Sequence, residues 1–376
     1  MKNIQMVDLL SQFRKIEPEV MEAIRTVMEN TSFIKGPEVS EFASSLASYL
    51  STRHVIPCGN GTDALQVALM ALDLKPGDEV ITSPFTFIAT IEVIRLLGLK
   101  PVLADIREDN FNIDIDRIRE SISDRTRCLL PVHLFGQCAD MESILKTARK
   151  HDLYIVEDAA QALGAEYTFS DGRTGKAGTI GDIGCTSFFP SKNLGAFGDG
   201  GALFTNNPVL AEKIVAMVNH GMKVRYYYDY VGVNSRLDTL QAAILNVKLK
   251  HLDEYHRSRQ RAAEFYDLAL PDLEGIILPA RDSHSTHIFH QYTLRVTHGK
   301  RDSLKEFLQT RGIPAMIYYP LGLHLQNAYR DLGYKEGDFP VTEKVSAEVL
   351  SLPMHTELEE DQLHYISASI RDFFKK

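Results

Sequence analysis

This 376-residue chain is short of several things, and each shortage excludes a class of function. Its four cysteines, Cys58, Cys128, Cys138 and Cys185, form no C-x-x-C pair. That removes the usual basis for a zinc site or a redox pair and leaves reduced thiols as the expectation. Positive charge is not in excess: 41 Lys and Arg face 50 Asp and Glu, for a net charge of -9. A general nucleic-acid binder needs a basic face, so no such partner is expected. No apolar run is long enough to span a membrane, and Met1-Lys2 leads directly into mixed polar sequence without a secretory leader pattern. A cytoplasmic protein with no membrane contact is the expectation. Internal repeats and low-complexity tracts are also missing. What remains is an ordinary soluble composition in a chain too long for one simple core, which suggests two domains.

Residues 1–30 read as an arm and an amphipathic helix, with Val20, Ile24, Val27 and Met28 at helical spacing. Gly36-Pro37 breaks it, and a second helix is predicted over Val39–Tyr49. Short apolar runs then alternate with helical stretches. The predicted strands are His54–Pro57, Glu79–Thr82, Pro101–Ala104, Cys128–His133, Tyr154–Val156, Thr186–Phe189 and Ala202–Phe204. The helices between them include Ala64–Leu72, Phe87–Leu97 and Met141–His151. This order predicts an α/β fold with a mainly parallel sheet covered on both faces, and ligands at the carboxyl ends of its strands. One long helix is predicted over about 236–270, closed by Pro271 and Gly275. It links a large domain (1–250, arm included) to a smaller α+β domain (251–376).

Four segments bear chemistry. Lys192 follows a short apolar run in Ser187-Phe188-Phe189-Pro190-Ser191-Lys192, with Gly195, Gly198, Gly200 and Gly201 close behind. A lysine in a tight, partly buried turn loses its proton more readily and can attack a carbonyl; the alternative is a solvated lysine in a glycine-rich loop. Gly59-Asn60-Gly61-Thr62-Asp63 stands between a strand and a helix, where free N–H groups can hold a phosphate; a weak dinucleotide fingerprint and a plain capped turn are the alternatives. Phe85-Thr86-Phe87 ends a strand with aromatics that either stack on a flat ring or pack in the core. Val156-Glu157-Asp158 ends an apolar strand in two acids. Asp158 there either pairs with a cation such as a protonated pyridine nitrogen or caps a helix.

Other candidates read as empty. Gly172-Arg173-Thr174-Gly175-Lys176-Ala177 has the wrong spacing for a phosphate loop and no Ser or Thr after the lysine. His284, His287 and His290 recur every third residue without an acidic or thiol partner, so no metal is expected there. Arg225 with Tyr226, Tyr227 and Tyr228 offers rings that could stack a base, but reads rather as a mobile loop covering a site.

Together these motifs, in this order, resemble the DegT/StrS group of pyridoxal-phosphate sugar aminotransferases. Gly232-Val233-Asn234-Ser235-Arg236-Leu237-Asp238 adds a fifth motif, and the resemblance runs from about Gly36 to the C-terminus. It implies the aspartate-aminotransferase fold (PLP fold type I), with a seven-stranded sheet in the large domain. It further implies pyridoxal 5′-phosphate as cofactor, Lys192 as the Schiff-base lysine and Asp158 as partner of the pyridine nitrogen. Phe87 would stack on the ring and Gln161 would lie near its hydroxyl. The glycine turn at Gly61, the amides of Thr62 and Asp63, and the Ser187 hydroxyl would hold the phosphate. Asn234 would reach it from the second subunit of a homodimer. L-glutamate would donate the amino group to a nucleotide-linked keto sugar.

The motif forms are most similar to enzymes that aminate UDP-2-acetamido-3-keto-glucuronic acid for surface polysaccharides, lipopolysaccharide among them. On that likeness Arg236 would pair with the sugar carboxylate or else shape the dimer contact, and Tyr318, Tyr319 and His324 would line the acceptor side. Tyr318 stands where relatives commonly have a histidine. Acceptors with another nucleotide or a 4-keto group remain alternatives, as does a non-catalytic regulator that keeps the fold.

Overall fold

The computed structural model describes residues 3–375. Its centre is a seven-stranded sheet. In chain order the strands are β1 (His54–Cys58), β2 (Glu79–Thr82), β3 (Lys100–Leu103), β4 (Thr126–Leu129), β5 (Tyr154–Asp158), β6 (Ile183–Ser187) and β7 (Gly201–Thr205). Their spatial order is β1-β7-β6-β5-β4-β2-β3. The pairs among β2 to β6 are parallel, and β7 runs antiparallel to both β6 and β1. Six strands therefore share one direction and end at one edge of the sheet. That edge carries Cys58, Thr82, Asp158 and Ser187, together with Gly201 at the start of β7.

Side-chain alternation explains why both faces are covered. Val80, Cys128 and Val156 enter one core with Leu65, Ala68, Ile94 and Ile214. Their neighbours Ile81, Leu129 and Ile155 enter the opposite core with Ile144 and Ala162. Helices cover both sides and are capped locally. Asn60 accepts from the Asp63 amide at 2.8 Å, and Asn207 accepts from the Val209 amide at 2.9 Å with Pro208 in the first turn.

A three-stranded antiparallel sheet, β8 (Ile276–Ile277), β9 (Tyr292–Val296) and β10 (Val349–Leu352), stands apart. Its core contains Tyr266, Tyr292, Leu294, Leu308, Leu350 and Ile366, and it takes in Ile4 from the N-terminal arm. The Met354 amide donates to the Met6 carbonyl at 3.3 Å, so the arm lies against the C-terminal part of the chain.

The structure departs from the sequence expectations in several places. The single helix expected over 236–270 is two, Thr239–Leu249 and Leu252–Ala269. Neither Gly nor Pro stands at the joint, Lys250-His251, so the sequence carries no breaker there. In the first helix, Leu9–Asn30, Val20 and Val27 are buried but Met28 is exposed. The strand expected to run to His133 ends at Leu129. Tyr227 and Tyr228 form a two-stranded ribbon with Met222–Val224, and their side chains are exposed.

Candidate active site

A cavity of about 840 Å³ opens at the carboxyl edge of the sheet. Strand β1 delivers Asn60, Gly61, Thr62 and Asp63 to it; β2 delivers Thr86 and Phe87; β5 delivers Asp158 and Gln161; β6 delivers Ser187 and Lys192. Tyr318, Tyr319, His290 and Gln291 close it from the C-terminal third of the chain.

Asp158 and Glu157 leave β5 in opposite directions. Glu157 is fully buried and filled: it accepts from the amides of Gly178 (3.0 Å), Ile180 (2.7 Å) and Gly181 (2.5 Å), and it lies 2.8 Å from His133 Nε2. His133 Nδ1 accepts from the Ala139 amide at 3.1 Å, which assigns the ring proton to Nε2 and makes it a donor to Glu157. Asp158 faces the cavity and takes two donors, the Ala160 amide at 3.1 Å and the Thr90 hydroxyl at 3.0 Å. Burial pushes its pKa above the ordinary carboxylate value, while the Ala160 amide, the Lys192 charge, Thr90 and His133 pull it back.

Lys192 is half-buried and lines the same cavity. Desolvation lowers its pKa to about 8, against an opposing pull from Asp158. A neutral amine is thus within reach near neutral pH. Gln161 is fixed on both sides of its amide: its Oε1 accepts from the Phe135 amide at 2.7 Å and its Nε2 donates to Tyr319 Oη at 3.1 Å. The Phe87 ring is 57% exposed into this space, unusual for a phenylalanine, and is free to lie against a flat ligand.

The anion cup forms at the start of the Gly61–Ala71 helix. A side chain at Gly61 would place its Cβ 2.7 Å from that of Ser187, so only glycine lets the turn and the end of β6 meet. The sequence reading gave the Asp63 amide to an anion; Asn60 has already taken it. The helix-terminal donors left at this position are the amides of Gly61 and Thr62, beside the Ser187 hydroxyl. The Asp63 carboxylate is itself held by Ser235 Oγ at 2.6 Å, and the Gly59 amide donates to that same oxygen at 2.9 Å.

Three expected residues lie elsewhere. His324 is buried away from the cavity: its Nε2 pairs with Glu343 Oε1 at 3.0 Å and its ring packs edge-on against Phe339. A buried imidazole bound to a carboxylate is spent on structure. Asn234 and Arg236 line a neighbouring recess of about 520 Å³ with Ile34, Asp199 and Asp238. That recess shares Asn60, Asp63 and Asp199 with the main cavity. Sequence reasoning passed over Thr90, Phe135, Asp199 and Gln291, and weighed His290 only as a metal ligand. Thr90 could have been found from its place in the first turn after Phe87, beside the cavity end of the helix Ala89–Leu96. Asp199 stands in the glycine-rich stretch after Lys192, while Phe135, His290 and Gln291 come from distant segments.

This donor set fits pyridoxal 5′-phosphate: a buried carboxylate short of partners, a lysine of lowered proton affinity, a glycine-lined helix terminus and a free aromatic face. Comparison with known proteins agrees. The profile of the DegT/DnrJ/EryC1/StrS aminotransferase family matches residues 14–371.

The chain belongs to that family.

It is 45% identical to the "pleiotropic regulatory protein" of Geobacillus stearothermophilus over 376 residues, with 99% of each chain covered. It is 41% identical to the UDP-2-acetamido-2-deoxy-3-oxo-D-glucuronate aminotransferase of Pseudomonas aeruginosa, covering 98% of this chain and 99% of that one. Among solved structures, NtdA from Bacillus subtilis with bound cofactor PMP superposes with a TM-score of 0.90 at 30% identity, covering 99% of this chain and 83% of that one. The protein is accordingly a sugar aminotransferase of this family, its cofactor pyridoxal 5′-phosphate and its fold that of the family.

Proposed function

We propose that this chain moves the amino group of L-glutamate to a nucleotide-linked 3-keto sugar, UDP-2-acetamido-2-deoxy-3-keto-glucuronic acid, on the way to a surface polysaccharide. The observation that carries the reading is the opposition of Asp158 and Lys192 across one cavity, a buried acid facing a lysine whose proton affinity is lowered. When bound, the cofactor supplies an electron sink and a covalent handle for the amino group.

The chain's own residues supply the rest. Asp158 would hold a positive charge on the ring nitrogen, the pairing that its burial and spare lone pairs favour. The Gly61 and Thr62 amides and the Ser187 hydroxyl would grip the phosphate. Phe87 would cover one ring face, and Gln161 would stand by the ring hydroxyl. Once free, Lys192 would move a proton between the substrate carbon that loses the nitrogen and the carbon that receives it; its lowered pKa makes the neutral amine available for this work. Donor and acceptor would use one space in turn, which predicts ping-pong kinetics. Tyr318 and Tyr319 would border the sugar.

The proposal includes a symmetric homodimer. Asn234 and Arg236 stand in the recess beside the cup, where Ile34 is 49% exposed, and Phe197, next to the recess residue Gly198, is 41% exposed. Apolar side chains grouped in this way mark a surface that another copy can cover. Across such a contact Asn234 would reach the partner's phosphate and Arg236 its sugar carboxylate. The proposal also places the protein in the cytoplasm. Its four cysteines are buried and unpaired, as a reducing compartment would keep them, and among the described residues no helix is long and apolar enough to cross a membrane.

A second reading, a regulator that binds cofactor or sugar nucleotide without turnover, is favoured by one observation: the name of the Geobacillus relative. A single assay separates the two. L-glutamate should bleach the yellow band of the cofactor-loaded protein, and added keto sugar should restore it with an amino sugar detected by mass spectrometry. A band indifferent to glutamate contradicts the transferase. A panel of UDP and dTDP sugars, ketonic at carbon 3 or carbon 4, then ranks the acceptors.

A further inference from the structure

His290 is 6% exposed and lines the cavity with Lys192, and its shielded Nδ1 has no hydrogen-bond partner among the described residues. A buried polar group left in this way is costly unless something else arrives to satisfy it. The ring is well anchored from behind. Arg259, itself buried, donates from Nη1 to the carbonyls of Phe289 (3.2 Å), His290 (3.3 Å) and Met354 (3.0 Å). The next residue, Gln291, donates its amide to the Phe135 carbonyl at 3.3 Å, and Phe135 in turn binds Gln161. His290 is therefore fixed on the Gln161 side of the cavity, within electrostatic reach of Lys192. Burial, the Lys192 charge and the Arg259 charge all hold the imidazole well below its ordinary pKa, so it is a neutral ring with one N–H to give.

The cavity has a matching need. Among the residues lining it, Lys192 is the one lysine or arginine, and it is committed to the amino-bearing carbon. An amino-acid donor brings a carboxylate on that same carbon. We propose that His290 is the receptor for this carboxylate, donating a neutral imidazole N–H to one oxygen of the amino donor. This inference rests on the glutamate reading above and names the group that recognises the donor. Because no protein acceptor holds the ring proton on the shielded Nδ1, the proton can sit on Nε2 and meet the ligand there.

The test uses the cofactor-loaded enzyme and glutarate, a dicarboxylate that cannot react. Calorimetry on the wild type, His290→Phe and His290→Gln reads the dissociation constant. The phenylalanine variant should bind glutarate at least about tenfold more weakly, the loss expected for one hydrogen bond to a charged group. Glutamine, which restores a neutral donor, should recover to within about threefold of the wild type. In the phenylalanine variant kcat/KM for glutamate should fall while kcat/KM for the keto sugar stays unchanged. Equal glutarate binding by wild type and His290→Phe overturns the proposal, as does failure of glutamine to recover it or absence of binding to the wild type. Failure of the functional reading looks different: glutamate would leave the wild-type cofactor band unchanged.

Discussion

The two sides of β5's carboxyl end carry the same chemistry and treat it in opposite ways. On one side Glu157 has three backbone N–H groups and His133 packed against it, and both ring nitrogens of His133 are engaged. On the other side Asp158 has two donors and an open cavity, and the Nδ1 of His290, which lines the same cavity, has no partner among the described residues. All four groups are buried. A filled polar group stabilises the fold, and its removal should be read in stability. An underfilled one sits at a cost that a ligand can offset, and its removal should be read in binding and turnover.

Breaking the open side should give the largest effects. Lys192→Ala should keep its circular dichroism spectrum and lose turnover by at least about ten-thousandfold, since both the covalent attachment and the proton carrier go. Asp158→Asn should lower turnover by about a hundredfold or more while changing the melting temperature little, as measured by steady-state kinetics and thermal unfolding. The filled side should show the reverse pattern. Glu157→Gln leaves amide donors and His133 imperfectly matched and should cost about 2–4 kcal/mol in denaturant unfolding, with near-normal turnover in the folded fraction.

A smaller effect sharpens the comparison through pH. The folded-state pKa of Lys192, about 8, lies below its unfolded value, so the unfolded chain binds more protons between pH 8 and about 10.5. Burial of the charged lysine thus costs stability below pH 8, and the cost disappears as pH rises through that window. Cofactor-free Lys192→Met should be more stable than cofactor-free wild type by about 1–3 kcal/mol at pH 7, with no difference above about pH 10.5, by urea unfolding across pH. That figure is held below the full value of the shift because the side chain is only half-buried. Smallest of all, His324→Ala should move KM for either substrate by less than about threefold, since Glu343 and Phe339 are its neighbours and the cavity is not.

Local signals explain what the sequence made legible. The strands, their order along the chain and the covered sheet follow from short apolar runs bounded by turns. The residues that one strand end delivers, such as Lys192, Asp158 and the Gly61 turn, announce themselves because each motif is contiguous. What escaped notice depends on distant segments meeting. His290 acquires its place from Arg259 and Met354, neither of which is near in sequence. The split between Leu249 and Leu252 has no breaker residue to mark it. The Asp63 amide was misassigned because Asn60 competes for it, a contest between side chain and ligand that spacing alone cannot decide. His324 was placed at the sugar by its nearness in sequence to Tyr318 and Tyr319, but the short 3₁₀ turn Leu323–Leu325 carries it into the Phe339–Glu343 contact instead.

The most direct test of the central claim is to reduce the cofactor-loaded protein with borohydride, digest it and map the modified peptide by mass spectrometry. The account expects a single cofactor adduct, on Lys192. An adduct on another lysine, or none on any, would contradict it.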